Sequence, residues 1–138
     1  KEAFRQVDFE YVVTAAKFAK QCGVKSFGLV SAIGADATSS SFYSQVKGET
    51  EAAVITEQFS TLRIFRPSLL KGEREEFRFG EEIGNVISFL LTPIFFLGLR
   101  KYQPIKIGTL AKGIYQLTNE DGETGKLRIY ESDELQSY

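Results

Sequence analysis

The chain has 138 residues, a length typical of one compact domain, and its 43% hydrophobic and 25% charged residues exclude a disordered or collagen-like protein. Lysine and arginine number 17 and aspartate and glutamate 18, so the net charge of −1 argues against a protein that mainly binds nucleic acid or acidic lipid. Without histidine and with one cysteine, the chain cannot form a His-based catalytic triad, a zinc site of His or paired Cys, or an internal disulfide. We therefore expect a cytoplasmic protein without a metal site.

The first half of the chain predicts helices and strands in alternation. Apolar residues at positions 12, 15, 16 and 19, followed by Gly23, predict a helix that ends at that glycine. The apolar run 25–30 predicts a buried strand, and residues 41–58 predict a second helix. A second strand at 62–65 ends before Pro67, because proline has no N–H to give to a sheet. This alternation predicts an α/β fold with a parallel sheet.

The second half predicts fewer elements. The charge-dense residues 73–78 are expected to be exposed. The almost wholly apolar segment 86–99 is shorter than the roughly 20 residues of a membrane span, and it indicates either a buried helix with its turn or an interaction or membrane-touching surface. Residues 104–108 predict a strand or extended entry to a helix capped by Thr109, and residues 127–130 predict a last strand.

Tyr43 and Lys47 carry the most distinctive chemistry of the chain. They lie four residues apart on the predicted second helix and therefore share a face. Ser31 follows the first predicted strand, at the sheet edge where open α/β folds bind ligands. An ammonium beside a phenol lowers the pKa of that phenol from about 10, so the tyrosine can exchange a proton with a developing alkoxide while a serine holds the substrate oxygen. A Tyr-x-x-x-Lys pair is also common on half-exposed helices, and both interpretations stay open.

Three segments, at 30–35 (Val-Ser-Ala-Ile-Gly-Ala), 42–51 (Phe-Tyr-Ser-Gln-Val-Lys-Gly-Glu-Thr-Glu) and 65–70 (Phe-Arg-Pro-Ser-Leu-Leu), follow one another in a characteristic order. This order resembles the atypical, NAD(P)-binding branch of the short-chain dehydrogenase/reductase superfamily, and within it the TIP30-like group. The resemblance runs from residue 4 to about residue 78 and more loosely beyond. It implies a Rossmann-like doubly wound parallel sheet that binds a dinucleotide, NADP(H) ahead of NAD(H), across its carboxyl edge.

The resemblance also implies roles for five residues. Tyr43 would be the catalytic proton donor or acceptor, and Lys47 would bind the nicotinamide ribose and lower the pKa of Tyr43. Ser31 would orient the substrate. Leu70 would line the nicotinamide pocket, and Arg78 would contact the cofactor, although Arg78 is equally interpreted as a solvated charge.

The chain departs from the superfamily pattern in one large respect. It lacks the Gly-rich phosphate loop that follows the first strand, since none of its glycines has that spacing. By the resemblance, we expect residues 1–138 to be the C-terminal part of a single NAD(P)-binding domain, with a substrate-side segment at about 73–138. Ala32 stands where relatives often have a second serine, and Arg66 is interpreted either as a structural ion pair or as a functional residue.

Three functions remain open at this stage. The first is an NAD(P)-dependent oxidoreductase that moves a hydride to or from a small carbonyl or alcohol, because the chain retains Tyr43 and Lys47. The second is an NADPH-binding regulatory or protein-interaction factor with little catalysis, and the third is a purely structural module. The expected partners are the dinucleotide, an unknown small-molecule substrate and a protein partner or second copy of the chain, without nucleic acid or a membrane span.

Overall fold

The computed structural model describes residues 1–71, 102–119 and 127–138, and every structural statement below refers to these residues. The first helix, α1, consists of three consecutive segments: Glu2–Arg5, a π-helical stretch at Gln6–Tyr11, and Val12–Gln21. The other helices are α2 (Phe42–Ile55), α3 (Ile107–Asn119) and α4 (Ser132–Leu135). The strands are β1 (Ser26–Val30), β2 (Thr61–Arg66), β3 (Leu70–Lys71), β4 (Ile105–Lys106) and β5 (Leu127–Glu131).

Helix α1 ends as its sequence predicts. Gly23 has a φ of 79°, a left-handed conformation that glycine adopts without steric cost. Its N–H donates to the Lys20 carbonyl, and the N–H of Val24 donates to the Ala19 carbonyl, both at 3.0 Å. These two bonds form a Schellman motif, which satisfies the last carbonyls of the helix and turns the chain into β1.

Strands β1, β2 and β5 form a parallel sheet in the order β1-β2-β5. The register places Leu29 beside Ile64 and Ile64 beside Ile129. Strand β2 is central, and its five residues from Thr61 to Phe65 are buried, as expected for a strand with neighbours on both sides and helices on both faces. Strands β3 and β4 form a separate two-stranded parallel pair. The predicted α/β fold with a parallel sheet is therefore confirmed.

Each face of the sheet packs against its own set of helices. Because side chains alternate along a strand, the neighbours Ile64 and Phe65 point to opposite faces. Ile64 belongs to a core cluster that includes Ala16 of α1 and Val54 of α2. Phe65 belongs to a second cluster with Leu117 of α3, and its ring stacks on Tyr130 with centroids 5.4 Å apart. The resulting three layers are the arrangement of a partial Rossmann-like fold.

The C-terminal elements differ from the prediction at one boundary. Helix α3 begins at Ile107, directly after the two-residue strand β4, rather than after a cap at Thr109. Strand β4 forms because Ile105 pairs with Leu70 of β3, and the helix begins at the residue that follows the last paired residue of β4. The predictions for 73–78 and 86–99 lie outside the described residues. Within the described ranges, no helix combines the length and the apolar character that crossing a membrane requires.

Candidate functional site at the carboxyl edge of the sheet

The carboxyl ends of β1 and β2 continue side by side beyond the sheet. The N–H of Ser31 donates to the Phe65 carbonyl at 2.7 Å, and the N–H of Ile33 donates to the Pro67 carbonyl at 3.0 Å. These bonds hold the segment after β1 against the segment after β2. Ser31 is thereby fixed at the edge where open α/β sheets bind their ligands.

The hydroxyl of Ser31 is the unusual group of this edge. The residue is only 7% exposed, and its Oγ has no hydrogen-bond partner within residues 1–71, 102–119 and 127–138. A buried polar group without a partner costs about 1–3 kcal/mol, so such groups are rare unless a ligand or another function uses them. The neighbouring Ala32 is also buried and contributes no hydroxyl, which leaves Ser31 as the hydroxyl of this pair.

The loop between β1 and α2 folds back onto the helix. The N–H of Asp36 donates to the Ser44 carbonyl at 3.0 Å, and the Asp36 carboxylate accepts the N–H and hydroxyl of Thr38 at 2.8 and 2.7 Å. These hydrogen bonds, led by the backbone N–H, lower the pKa of Asp36. A Cβ on Gly48 would lie 2.2 Å from the Ala37 nitrogen, so only glycine permits this approach of the loop to α2. The loop that begins at Ser31 is thus held against the helix that carries Tyr43.

Tyr43 and Lys47 lie one turn apart on α2, as predicted. The Lys47 Nζ is 5.9 Å from the centroid of the Tyr43 ring. The same ring also contacts the ring of Phe4 in α1, with centroids 5.5 Å apart. The Lys47 ammonium forms an ion pair with Asp8 of α1, with 2.5 Å between Nζ and Oδ1. The side chains of Lys47 and Asp8 are 15% and 23% exposed, so this pair is partly sheltered from water.

The predicted lowering of the Tyr43 pKa is wrong for the free protein. Burial raises the pKa of the phenol above its ordinary value, and the nearby Asp8 carboxylate raises this pKa further. Lys47 does not reverse the effect, since its charge is balanced by Asp8 at 2.5 Å. The phenol of Tyr43 is therefore protonated at neutral pH, which is the form that donates a proton.

The remaining predicted positions lie in different environments. Leu70 lies in β3 and packs against the core cluster of Phe65. Arg66 forms a two-pronged ion pair with Glu51 of α2 (Nε–Oε1 2.9 Å, Nη2–Oε2 2.6 Å) and a further contact with Glu131 at 3.3 Å. This arrangement matches the structural interpretation of Arg66, because its guanidinium ties α2 to the ends of β2 and β5. Arg78 lies outside the described residues.

Sequence reasoning missed Asp8. The residue precedes Lys47 by 39 positions, and no spacing rule relates residues on two different helices. The only sequence signal was its place in the segment 4–8, where the family resemblance begins. Its contact with Lys47 became visible only once α1 and α2 were packed together.

Comparison with known proteins relates this chain to two named groups of proteins. No family model matches the chain. The chain is 38% identical over 138 residues to Protein FMP52-1, mitochondrial, of Scheffersomyces stipitis, a match that covers 96% of this chain and 59% of that protein. It is 48% identical over 80 residues to Protein HTATIP2 of Rattus norvegicus, covering 58% of this chain and 33% of that protein. Protein FMP52, mitochondrial, of Lodderomyces elongisporus is 34% identical over 128 residues, covering 92% and 52%.

These homologues support the closeness to the TIP30-like group, to which HTATIP2 belongs. The chain spans about half the length of the FMP52 relatives that it matches across most of its residues.

The expected cytoplasmic location is wrong. The FMP52 relatives from Scheffersomyces stipitis and Lodderomyces elongisporus carry the word mitochondrial in their names. The expectation rested on a single cysteine, and a low cysteine count argues only against a compartment in which disulfides form. It does not distinguish among compartments that keep thiols reduced.

Proposed function

We propose that the chain is the C-terminal, site-bearing part of a single NAD(P)-binding domain in a mitochondrial oxidoreductase of the short-chain dehydrogenase/reductase type. The proposed reaction is hydride transfer to a small carbonyl compound, with Tyr43 as the proton donor. Residues 73–138 are proposed to form the substrate side of this domain. The homology to FMP52 and HTATIP2 supports the family, and the carboxyl edge of the sheet supports the site.

The single observation that carries this proposal is the unpartnered, buried hydroxyl of Ser31 beside the loop that packs on α2. A buried donor at this edge lacks an acceptor within the described residues, and the oxygen of a bound substrate would supply one. Tyr43 and Lys47 lie on the helix held by that same loop. In this proposal a carbonyl oxygen that reaches both groups receives one hydrogen bond from Ser31 and one proton from Tyr43.

In the proposed mechanism each side chain has a separate task. The Ser31 hydroxyl donates a hydrogen bond to the carbonyl oxygen and fixes its position. A bound dinucleotide would supply the hydride. As negative charge develops on the oxygen, the Tyr43 phenol gives its proton to it, since its raised pKa keeps it protonated at neutral pH. This form of Tyr43 suits carbonyl reduction better than alcohol oxidation, which needs the phenolate.

Three residues are proposed to hold the cofactor. The Lys47 ammonium has three N–H donors, of which Asp8 engages one, so the others remain for the hydroxyls of the nicotinamide ribose. Leu70 and Arg78 are proposed to contact the cofactor as the family resemblance implies. We propose NADP(H) ahead of NAD(H).

A regulatory NADPH-binding factor is the second candidate. The observation in its favour is that Asp8 pairs with Lys47, so the ammonium does not lower the pKa of Tyr43 in the free protein. Such a factor would bind the dinucleotide through Lys47 and turn over little or no substrate.

The test is Tyr43→Phe in the complete protein that contains this chain. We expect this variant to lose carbonyl reduction about 100-fold or more, because a positioned proton donor contributes about 10²–10⁴-fold, while dinucleotide binding stays nearly unchanged. Turnover is followed by oxidation of NADPH and of NADH with a panel of small aldehydes and ketones, and binding is measured by calorimetry. Tyr115→Phe is the matched control, since Tyr115 of α3 is 71% exposed.

The outcomes separate the two candidates. Equal turnover by Tyr43→Phe and the wild type would remove Tyr43 from the mechanism. Dinucleotide binding by a wild-type protein that reduces no member of the panel would favour the regulatory factor. In an active enzyme, reduction should also decline as the pH rises through the raised pKa of Tyr43, since only the protonated phenol donates.

A further inference from the structure

Asp8 is held at both its side chain and its backbone. It lies in the π-helical stretch Gln6–Tyr11 of α1. The π-helix is rare in proteins as a whole, and where it occurs it is often at a functional site. Its carboxylate binds the Lys47 ammonium at 2.5 Å, and its backbone carbonyl accepts the Thr50 hydroxyl at 2.9 Å. Both partners belong to α2, so the π-helical stretch of α1 is attached to the helix face that carries Tyr43.

Within residues 1–71, 102–119 and 127–138, the charges around Tyr43 come from a small set of groups. On its own helix the charged neighbour is Lys47, and on α1 it is Asp8, while Phe4 contributes an uncharged ring. In the loop that packs on the first turn of α2, the Asp36 carboxylate is bound by Thr38. Among the residues that the structure describes, the charges beside the phenol are therefore mainly those of Asp8 and Lys47.

We propose that Asp8 is a positioning residue of the site, which fixes the Lys47 ammonium one turn from Tyr43 and opposes the charge of that ammonium beside the phenol. This inference rests on the proposed function, because it assigns Asp8 a task in the same reduction. Asp8 acts through Lys47 and Tyr43 and does not contact the substrate.

The position of Lys47 follows from the same contact. A lysine side chain has four rotatable carbon–carbon bonds and loses conformational entropy when it is fixed. The Asp8 carboxylate fixes this side chain before the cofactor binds. Two of the three N–H donors remain, so Asp8 and a ribose hydroxyl can be bound by Lys47 together.

The test compares Asp8→Asn with Glu49→Gln in the complete protein. Glu49 is a matched control, because it forms an ion pair between the same two helices, with 2.6 Å to Arg5, and this pair includes neither Asp8 nor Lys47. The first readout is the titration of the Tyr43 ring, followed by NMR with labelled tyrosine in the absence of cofactor. The second is the pH dependence of reduction, normalised to the plateau of each variant.

Asp8→Asn is expected to shift both readouts to lower pH. Removal of the carboxylate leaves the ammonium unbalanced beside the phenol, and a charge within about 4–6 Å shifts a titration by about one unit or more. At a pH on the falling limb, the normalised rate should therefore be about tenfold lower than that of the wild type. Glu49→Gln should leave both curves in place, and Asp8→Glu should restore the wild-type titration.

A purely structural role of Asp8 would give a different result. If Asp8→Asn and Glu49→Gln destabilise the protein alike and leave the Tyr43 titration unchanged, Asp8 is only a link between helices and the inference fails. If Asp8→Asn does not fold, Lys47→Gln decides the question, since an unbalanced Asp8 must then move the Tyr43 titration to higher pH. The titration needs no turnover, so it tests Asp8 even if Tyr43→Phe shows that the proposed reaction is wrong.

Discussion

Gly48 offers the sharpest test of how the site is assembled. In Gly48→Ala, the new Cβ would lie 2.2 Å from the Ala37 nitrogen and 2.3 Å from the Asp36 carbonyl carbon. Ordinary contact begins near 3.4 Å, so the loop must withdraw by about 1.2 Å. Such overpacking costs about 1–3 kcal/mol, and loss of the bond from Asp36 to the Ser44 carbonyl adds about 1 kcal/mol. The helix propensity of alanine offsets about 1 kcal/mol, which leaves a net loss of about 1–3 kcal/mol.

Urea unfolding of the complete protein measures this loss as a lower midpoint at an unchanged slope. Because the loop begins at Ser31, we also expect kcat/KM to fall about 100-fold, the effect of a displacement of roughly 1 Å at a reacting group. Gly108→Ala is the matched control, since no atom of the described residues lies within 4 Å of its added Cβ, and it should be neutral or stabilising by up to about 1 kcal/mol. If both alanine variants were equally stable and active, close packing of the loop on α2 would not hold the site together.

Two further predictions concern the edge of the sheet. Ser31→Ala should leave the free energy of unfolding unchanged or raise it by up to about 1 kcal/mol, because the hydroxyl has no partner within the described residues. The kcat/KM of the proposed reduction should fall. A loss of both stability and activity would show that Ser31 is a structural residue. Arg66→Leu should lower the free energy of unfolding in urea by about 3 kcal/mol, since it leaves the Glu51 carboxylate, which is 5% exposed, without its partner. Arg66→Lys should recover only part of this loss, because lysine lacks the planar guanidinium that donates two parallel hydrogen bonds. A loss below about 1 kcal/mol for Arg66→Leu would contradict a buried role for this pair.

The order of helices and strands is predictable from the sequence because its causes are local. Gly23 ends α1 through its own left-handed backbone conformation. Strand β2 ends just before Pro67, because proline has no N–H to donate to a sheet. The short apolar runs become parallel strands, as their composition predicts. Among the described strands of this sheet, only the central β2 is buried along most of its length, whereas β1 and β5 each have one buried residue, so the predicted burial of the run at 25–30 is wrong. The start of α3 is less predictable, since the pairing of β4 with β3 determines where the helix begins.

The candidate site divides in the same way. The shared face of Tyr43 and Lys47 follows from four-residue spacing on one helix. The direction of the Tyr43 pKa does not, because reasoning from one helix includes the charge of Lys47 and omits Asp8, which α1 contributes from 39 residues away. An ammonium lowers the pKa of a phenol only while its charge is unbalanced.

The sequence by itself therefore determined the parallel α/β order, the carboxyl-edge position of Ser31 and the helical pairing of Tyr43 with Lys47. Only the tertiary structure decided that Asp8 neutralises Lys47, that Arg66 binds Glu51, and that Gly48 admits the loop against α2. The physical reason is range. Backbone conformation and periodicity depend on residues within one or two turns, whereas charge balance and close packing depend on groups that meet only after the chain has folded.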